Sequence, residues 1–359
     1  MADTRLRHYE DGTVMSAAGT LTVDLDGVNS ISRATIFARG TNNGSTPTAH
    51  PGKLVTDIEI VDGSDRLWHA SGLEAQAQNY LEMGQMPFTI NETEDGTTVH
   101  ATYHLNFGRW LWDKEYAFNP TAYNNPQLKI TYDRDGGGSA PDAGTLDVFA
   151  QEWDAKKVTP SKYLSLKREK SYSLTASAHE YTDLNVDHDI RSITMASLFD
   201  GCSPSSQVDK FDLSENGGEK IPFKNESVSD LLKLYAPLVP VEDKLGTLGT
   251  ASAVEYFVAP TYEAYSTGVG RSATQTALIV SQGSGGTIDI TNDASESMQA
   301  IVKGWAPHGS LQIPFGELDK PDTWYKMAGI KNLKLDLTAG SSVGSASTCE
   351  ILTQRAVSI

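Results

Sequence analysis

The sequence has few basic residues and very few cysteines. It carries 29 lysines and arginines against 46 aspartates and glutamates, a formal net charge of −17. Proteins that coat nucleic acid through its phosphates carry the opposite balance, so we expect neither genome condensation nor sequence-specific nucleic-acid binding. Cys202 and Cys349 lie far apart and outside any metal-binding spacing, which favours reduced thiols in a protein made in the cytoplasm.

Long apolar runs are also missing. No stretch of about 18 apolar residues occurs, so the sequence predicts no membrane-spanning helix. The opening segment, MADTRLRHYEDG, lacks the apolar centre of a secretory signal, and we expect no such signal there.

Strand patterns dominate what is present. Apolar residues alternate with polar ones in short runs, as in Leu21–Leu25, Leu128–Tyr132 and Leu146–Ala150. Clusters of Gly, Asn, Asp and Pro separate these runs at intervals of about ten residues. This pattern predicts an all-β protein built as a sandwich or barrel.

Two helices are predicted within this pattern. The first runs from Ser71 to Gly84, where Glu74 completes a capping box with Ser71 and Gly84 ends the helix. The second, residues 227–237, repeats the box with Asp230 and ends at a proline.

The helices mark an internal duplication, because they lie about 155 residues apart and follow similar strand patterns. AYNNPQLKITYD likewise resembles MAGIKNLKLDLT about 205 residues later, and a Gly/Ser-rich loop and a final strand follow each. The growing offset predicts an insertion at about 239–286. We therefore expect an N-terminal arm at 1–17, carrying Arg5, Arg7 and His8, a first sandwich at 18–158 and a second at 159–359.

A basic run crosses the boundary between the copies. Six bases against one acid occur between residues 156 and 170: Lys156, Lys157, Lys162, Lys167, Arg168 and Lys170. Such a run is typical of a solvated linker and strand face. It also fits an inward-facing patch that meets lipid headgroups or nucleic acid.

Motifs for chemistry are weak. Gly340–Gly344 matches GxSxG, but it lies between two predicted strands, whereas a nucleophile elbow needs a strand followed by a helix. His100 and His104 lie on a predicted strand, too far apart along it to share a metal. Asp183–Asp189 lacks the Gly and Glu of a calcium-binding loop. We expect no catalytic residue, no cofactor and no metal site.

Two long segments of the first copy resemble a known family. KLVTDIEIVDGSDRLWHASGLEAQAQNYLEMG and FGRWLWDKEYAFNPTAYNNPQLKITYD are similar to the first roll of major capsid proteins from tailless icosahedral bacteriophages, above all those with an internal membrane, of the Finnlake-virus type. The match covers about Lys53–Trp153, and the second copy matches by its order of elements. The resemblance implies two tandem jelly-roll β-sandwiches, each with a short α-helix inserted after its middle strands.

The resemblance also implies a structural, non-enzymatic function. Homotrimers with six rolls would form pseudo-hexagonal capsomers of an icosahedral shell around an internal membrane and genome, in contact with minor capsid or vertex proteins, and the protein would reside in the virion. An alternative is a carbohydrate-binding β-sandwich, such as a phage spike or lectin-like protein. Its platform would use the tryptophans Trp68, Trp110, Trp112 and Trp324.

Overall fold

The structure, a computed structural model, describes residues 3–136, 138, 140–198, 202–248, 254–270, 277–281, 285–292, 297–344 and 346–359. Most of these residues lie in β-strands, as the alternating sequence pattern predicts. None of the helices in these ranges has the length and apolar character needed to span a bilayer.

Strands outnumber helices in both halves of the chain. The first half contains β1 (Thr4–Val14), β2 (Ala18–Asp24), β3 (Ser30–Thr41), a 3₁₀ helix (Pro51–Leu54), β4 (Val55–Asp62), β5 (Asp65–Ala70), α1 (Gly72–Met83), β6 (Thr89–Glu92), β7 (Thr98–Asn106), a 3₁₀ helix (Pro120–Ala122), β8 (Pro126–Asp133) and β9 (Ala143–Trp153). The second half contains β10 (Lys162–Ser173), β11 (His179–Leu184), β12 (Ile190–Leu198), α2 (Pro204–Gln207), β13 (Val208–Glu215), β14 (Lys220–Ser227), α3 (Val228–Leu234), β15 (Val241–Leu248), β16 (Val254–Phe257), β17 (Pro260–Gly270), β18 (Ala277–Ser281), β19 (Thr287–Asn292), β20 (Ser297–Pro307), β21 (Ser310–Pro314), a 3₁₀ helix (Pro321–Thr323), β22 (Leu333–Ala339) and β23 (Thr348–Ser358).

The first half folds as a sandwich of two antiparallel sheets. Sheet A has the strand order β1-β9-β3-β7, and sheet B has the order β2-β8-β4-β5. Alternate residues of both sheets point into one core, for example Ile36 and Val148 from sheet A and Ile58 and Ile130 from sheet B. Such alternation places one face of each strand inside the sandwich.

The second half repeats this topology. Its sheet A has the order β10-β23-β12-β21, its sheet B has the order β11-β22-β13-β14, and each strand takes the place of its counterpart in the first half. Ile193, Leu335 and Ile351 contribute to its separate core. The predicted fold, an all-β chain of two tandem jelly rolls, is confirmed.

The duplication extends to local irregularities. β3 has a bulge between Ile31 and Arg33 in its pairing with β9, and β12 has one between Ile190 and Ser192 in its pairing with β23. Ile31 forms an isolated bridge with Phe118, and Ile190 forms the corresponding bridge with Tyr325. These matches align residue 31 with residue 190.

A helix follows the middle strands of each roll, as predicted. α1 has the full capping box of Ser71 and Glu74 and ends at Gly84, whose φ is 70°. α3 is shorter than predicted, and its Ser227 makes no side-chain cap bond. Ser227 is also the last residue of β14, so the strand determines where this helix begins.

The corner before β8 also recurs. Asn119 accepts a hydrogen bond from the backbone N–H of Thr121 and begins the 3₁₀ helix Pro120–Ala122. The 3₁₀ helix Pro321–Thr323 precedes β22 in the second roll. A proline at the first position suits both helices, because it has no N–H to leave unbonded.

Residues 4–14 are an integral strand of the first roll. β1 pairs antiparallel with β9 along its whole length at the edge of sheet A. The interval 1–17, predicted as an arm, therefore supplies the first strand of the sandwich. Its two faces are both largely exposed, which is why it shows no apolar alternation.

The inserted strands of the second roll run from β15 to β20 and end at Pro307, beyond the predicted limit of 286. β15 pairs in parallel with β6, so sheet A of the first roll continues through β6, β15, β20 and β17. The insert has its own apolar core, which includes Leu245, Ile290 and Val302.

Candidate functional site

The weak chemical motifs are structural features in the described part of the chain. Gly340–Gly344 is the loop between β22 and β23, with no helix after its serines, so it lacks the geometry of a nucleophile elbow. Within Asp183–Asp189, Asn185 accepts a hydrogen bond from the N–H of Asp187, and Lys326 pairs with Asp189 at 2.9 Å. These oxygens serve a turn and an ion pair.

The two histidines of β7 have separate environments. His104 Nδ1 lies 2.9 Å from Thr35 Oγ1, and burial together with the charge of Arg33 lowers the pKa of His104 to about 4. His100 contacts the ring of Phe37. The two side chains therefore have different partners along the strand.

One group among the described residues has the donor types of a metal site. Asp57, Glu59 and His69 have ligand atoms within 4.8 Å of one another. However, Arg168 lies 3.3 Å from Asp57, and Arg66 lies 2.6 Å from Glu59. These guanidinium groups compete with a cation for the same oxygens, so the donor set fits ion pairing better than metal binding.

The four tryptophans do not form a common exposed platform. Trp68 and Trp324 are buried, and Trp112 packs edge-on against Trp153. Trp110 is half exposed, and Arg109 lies over its ring at 4.5 Å. Trp110 is thus the one exposed ring of the four, and a single ring covered by Arg109 gives no support to the predicted carbohydrate platform.

The six residues of the basic run have different environments. Lys156 and Lys157 are exposed in the turn between the rolls. Lys162 lies over the ring of Tyr116, and burial lowers the pKa of the half-buried Lys167. Lys170 pairs with Glu180, and Arg168 points into the boundary between the two rolls. The run is therefore not one continuous basic surface.

Arg168 is the centre of a buried ionic cluster between the rolls. From β10 of the second roll it reaches Glu74 of α1 with Nη2 at 2.6 Å, and Asp57 of β4 with Nη1 at 3.3 Å. Its Nε lies 2.6 Å from an oxygen of Glu350 on β23. The sequence shows Arg168 as one base among several, and its partners become visible only in the folded chain.

Glu74 and Glu350 share this guanidinium and lie within hydrogen-bonding reach of each other. In the described residues, neither Glu74 Oε1 nor Glu350 Oε2 receives a well-aligned bond from another group. Burial and the neighbouring Glu74 raise the pKa of Glu350 to about 9. Burial opposes ionisation of Glu74 too, but Glu350, Arg168 and the Ser71 N–H together lower its pKa. At neutral pH Glu350 is thus protonated and Glu74 is ionised.

The same side of α1 makes two further contacts with the second roll. Gln78 accepts a hydrogen bond from Thr194, and Glu82 pairs with the buried Arg191 at 2.7 Å. We call Glu74, Gln78 and Glu82 the α1 face, since their four-residue spacing places them on one side of the helix. Leu166, Ala196 and Leu352 of the second roll belong to the apolar core cluster of the first roll.

A second polar cluster joins the rolls at the base of the insert. His50 accepts from the N–H of Gly52 through Nδ1, so its Nε2 carries the proton and donates to Asp243 at 3.1 Å. His308 Nε2 lies 3.1 Å from Gln76 Oε1, and burial lowers the pKa of His308. Loops of both rolls and the insert are thereby fixed to one another.

Solved structures share this architecture over almost the whole chain, although the sequence matches no protein-family model and no curated protein. The major capsid protein P2 of bacteriophage PM2 aligns with a TM-score of 0.54 and 9% identity, over 99% of this chain and 98% of P2. The capsid protein of Sulfolobus turreted icosahedral virus aligns at 0.57 and 12%, over 99% and 97%. VP54 of the virus PBCV-1 aligns at 0.58 and 12%, over 99% and 94%.

The chain has the double jelly-roll fold of viral major capsid proteins. Within this double jelly roll, the site that the residues build is the joint between the rolls. It holds ion pairs and shared protons, and it brings together no nucleophile, base and oxyanion donor among the described residues.

Replacing Arg168 with Met should destabilise the protein strongly. The change leaves Glu74 buried and ionised without its cation, which typically costs about 3–5 kcal/mol. Urea unfolding followed by tryptophan fluorescence would measure the loss. Lys170→Met on the same strand is the matched control, because its pair with Glu180 is partly exposed and worth at most about 1 kcal/mol. Equal losses in the two variants would contradict the central role of Arg168.

Glu350 predicts a pH dependence of stability. Its folded-state pKa of about 9 lies above the value of 4.5 for a free carboxyl, so the folded protein holds a proton that the unfolded chain releases. This contribution to stability is complete below about pH 4.5 and falls as the pH rises toward 9. Glu350→Gln mimics the protonated form, so its melting temperature should fall less than that of the wild type between pH 5 and 9. Parallel curves would contradict the assignment.

Proposed function

We propose that this protein is a viral major capsid protein. The observation that carries the proposal is the alignment of nearly the whole duplicated chain with capsid proteins of unrelated sequence from several viruses. In this proposal three chains form a homotrimer whose six jelly rolls give a pseudo-hexagonal capsomer, and capsomers assemble into an icosahedral shell.

The duplication supports this assembly on physical grounds. Two similar rolls in one chain let a threefold-symmetric trimer present nearly sixfold-symmetric edges, so that identical capsomers can pack like hexagons. The net charge of −17 keeps free capsomers soluble before assembly.

The proposal also includes the partners of the protein and its location. The shell encloses an internal membrane and the genome, minor capsid or vertex proteins complete it, and the protein is made in the host cytoplasm and resides in the virion. Its function is structural, without enzymatic activity or cofactor. Of the basic run at 156–170, the exposed Lys156 and Lys157 face inward in this proposal, where they are available to anionic headgroups or phosphates.

Purified protein should sediment as a species of three times 38.8 kDa and should form shell-like particles visible by negative-stain electron microscopy. Sedimentation velocity over a wide concentration range measures the first property. A chain that remains monomeric at the highest concentrations, and forms no particles with its source virion's other proteins, would contradict the proposed function.

Charge reversal of Lys156 and Lys157 to Glu should reduce membrane or genome content of particles before it affects the trimer. Both side chains are exposed, so their replacement leaves the core intact. Phosphate and lipid analysis of purified particles measures the effect. Lys244→Glu and Lys331→Glu, which change exposed charges elsewhere, are the control. Loss of the trimer as the first defect would point to a role in folding or assembly instead.

A further inference from the structure

The contact between the two rolls joins a helix to the outer surface of a sheet. The α1 face packs on the outer surface of sheet A of the second roll, where Gln78 meets Thr194. Beside Thr194 on β12, Ala196 joins the apolar cluster shared with the first roll. Because the chain is duplicated, it also contains a second copy of each of these two surfaces.

The second helix surface is uncovered. Ser71 and Ser227 occupy the same position before their helices, and the same shift carries Glu74, Gln78 and Glu82 to Asp230, Leu234 and Leu238. Asp230 and Leu234 lie on α3, whereas Leu238 lies in the bend that follows the end of this helix. We call these three residues the α3 face. The side chain of Asp230 is 78% exposed, Leu234 is 71% exposed and Leu238 is fully exposed. Leu234 and Leu238, four residues apart, expose large apolar side chains at a cost in free energy in water.

The second sheet surface is also uncovered. An aromatic stripe crosses all four strands of sheet A of the first roll and continues to Phe88. Its ring centroids are 4.3 Å apart for His8 and Phe149, 4.9 Å for Phe149 and Phe37, 5.2 Å for Phe37 and His100, and 5.2 Å for His100 and Phe88. His8 and Phe88 are exposed, and the other three rings are only partly covered.

On sheet A of the first roll, the stripe occupies the position that the α1 face covers on sheet A of the second roll. The alignment of residue 31 with residue 190 places Thr35 at the position of Thr194 and Phe37 at the position of Ala196. The chemistry changes on both sides, but at only one of the two sheet positions. The polar Gln78 is replaced by the apolar Leu234 on the helix, and Ala196 is replaced by the aromatic Phe37 on the sheet. Thr35 keeps the hydroxyl of Thr194 and bonds His104, so Leu234 matches Phe37.

We propose that the α3 face of one copy packs on the aromatic stripe of a second copy of this chain, repeating between chains the joint that exists within it. One chain cannot make this contact alone, because its two rolls already meet through the α1 face. The contact is head-to-tail, and such contacts form a ring when their rotation closes. Repeating the joint within the chain at about 60° gives six joints in a closed ring, which holds three chains. This interface rests on the proposed capsomer and names the surfaces that build it.

The test compares variants of the two surfaces by sedimentation velocity. Leu234→Asp combined with Leu238→Asp alters the α3 face, and Phe37→Glu or the more exposed Phe88→Asp alters the stripe. Each should weaken trimer formation about 100-fold or more, as loss of a central apolar contact does. Val28→Asp, at an equally exposed residue outside both surfaces, is the control and should remain trimeric. Circular dichroism and melting temperature verify folding.

A mixing experiment tests the head-to-tail geometry. An α3-face variant keeps its stripe, and a stripe variant keeps its α3 face, so an equimolar mixture should form a complex of two chains with one intact joint. Trimers that persist in every variant, equal dissociation of the Val28→Asp control, or mixtures that stay monomeric would overturn the interface. A monomeric wild type would contradict the capsomer itself, whereas trimeric variants beside a trimeric wild type would contradict only these surfaces.

Discussion

The burial of α1 between the rolls is the constraint on which the rest of the molecule depends. The helix closes the edge of the first sandwich with one side and binds the second sandwich with the other. The N-terminal half of the helix is buried, including Glu74 and Gln76. Charged groups in such a place are tolerated only when they are paired, which is why Arg168, Glu74 and Glu350 must be considered as one unit.

This joint is more ionic than the cores on either side of it. Arg168 and Arg191 both project from the second roll toward carboxylates of α1. Directional ion pairs fix the angle between two rigid bodies more narrowly than apolar packing does, because a guanidinium binds a carboxylate in few orientations. These ion pairs therefore set the relative orientation of the two rolls.

Much of the fold was predictable because it depends on local periodicity. Leu128, Ile130 and Tyr132 alternate in β8 as Leu333, Leu335 and Leu337 do in β22, and the duplication follows from such pairs. The sequence predicts an arm where β1 lies, because an edge strand exposed on both faces has no apolar alternation. The insert ends at Pro307 and not at 286 because β20 pairs with β15 and β17, and only such pairing shows which sheet a strand joins.

The contacts of the joint between the rolls could not be predicted from sequence patterns. Arg168 stands in a basic run and resembles its neighbours Lys167 and Lys170, while the carboxylates that hold it come from α1, β4 and β23. Buried ionic contacts of this kind join residues that are distant in the chain and have no periodic signature. The sequence contains the leucines of the α3 face, but it does not predict that they are exposed, because their exposure depends on how short α3 is.

The insert has an apolar core of its own, separate from the cores of both rolls. It is tied to the first roll by the short parallel pairing of β6 with β15 and by the contact of His50 with Asp243. A unit with an independent core can lose or gain stability without repacking either sandwich. The insert and the two rolls can therefore unfold as separate cooperative units, so a substitution in one need not change the stability of the other.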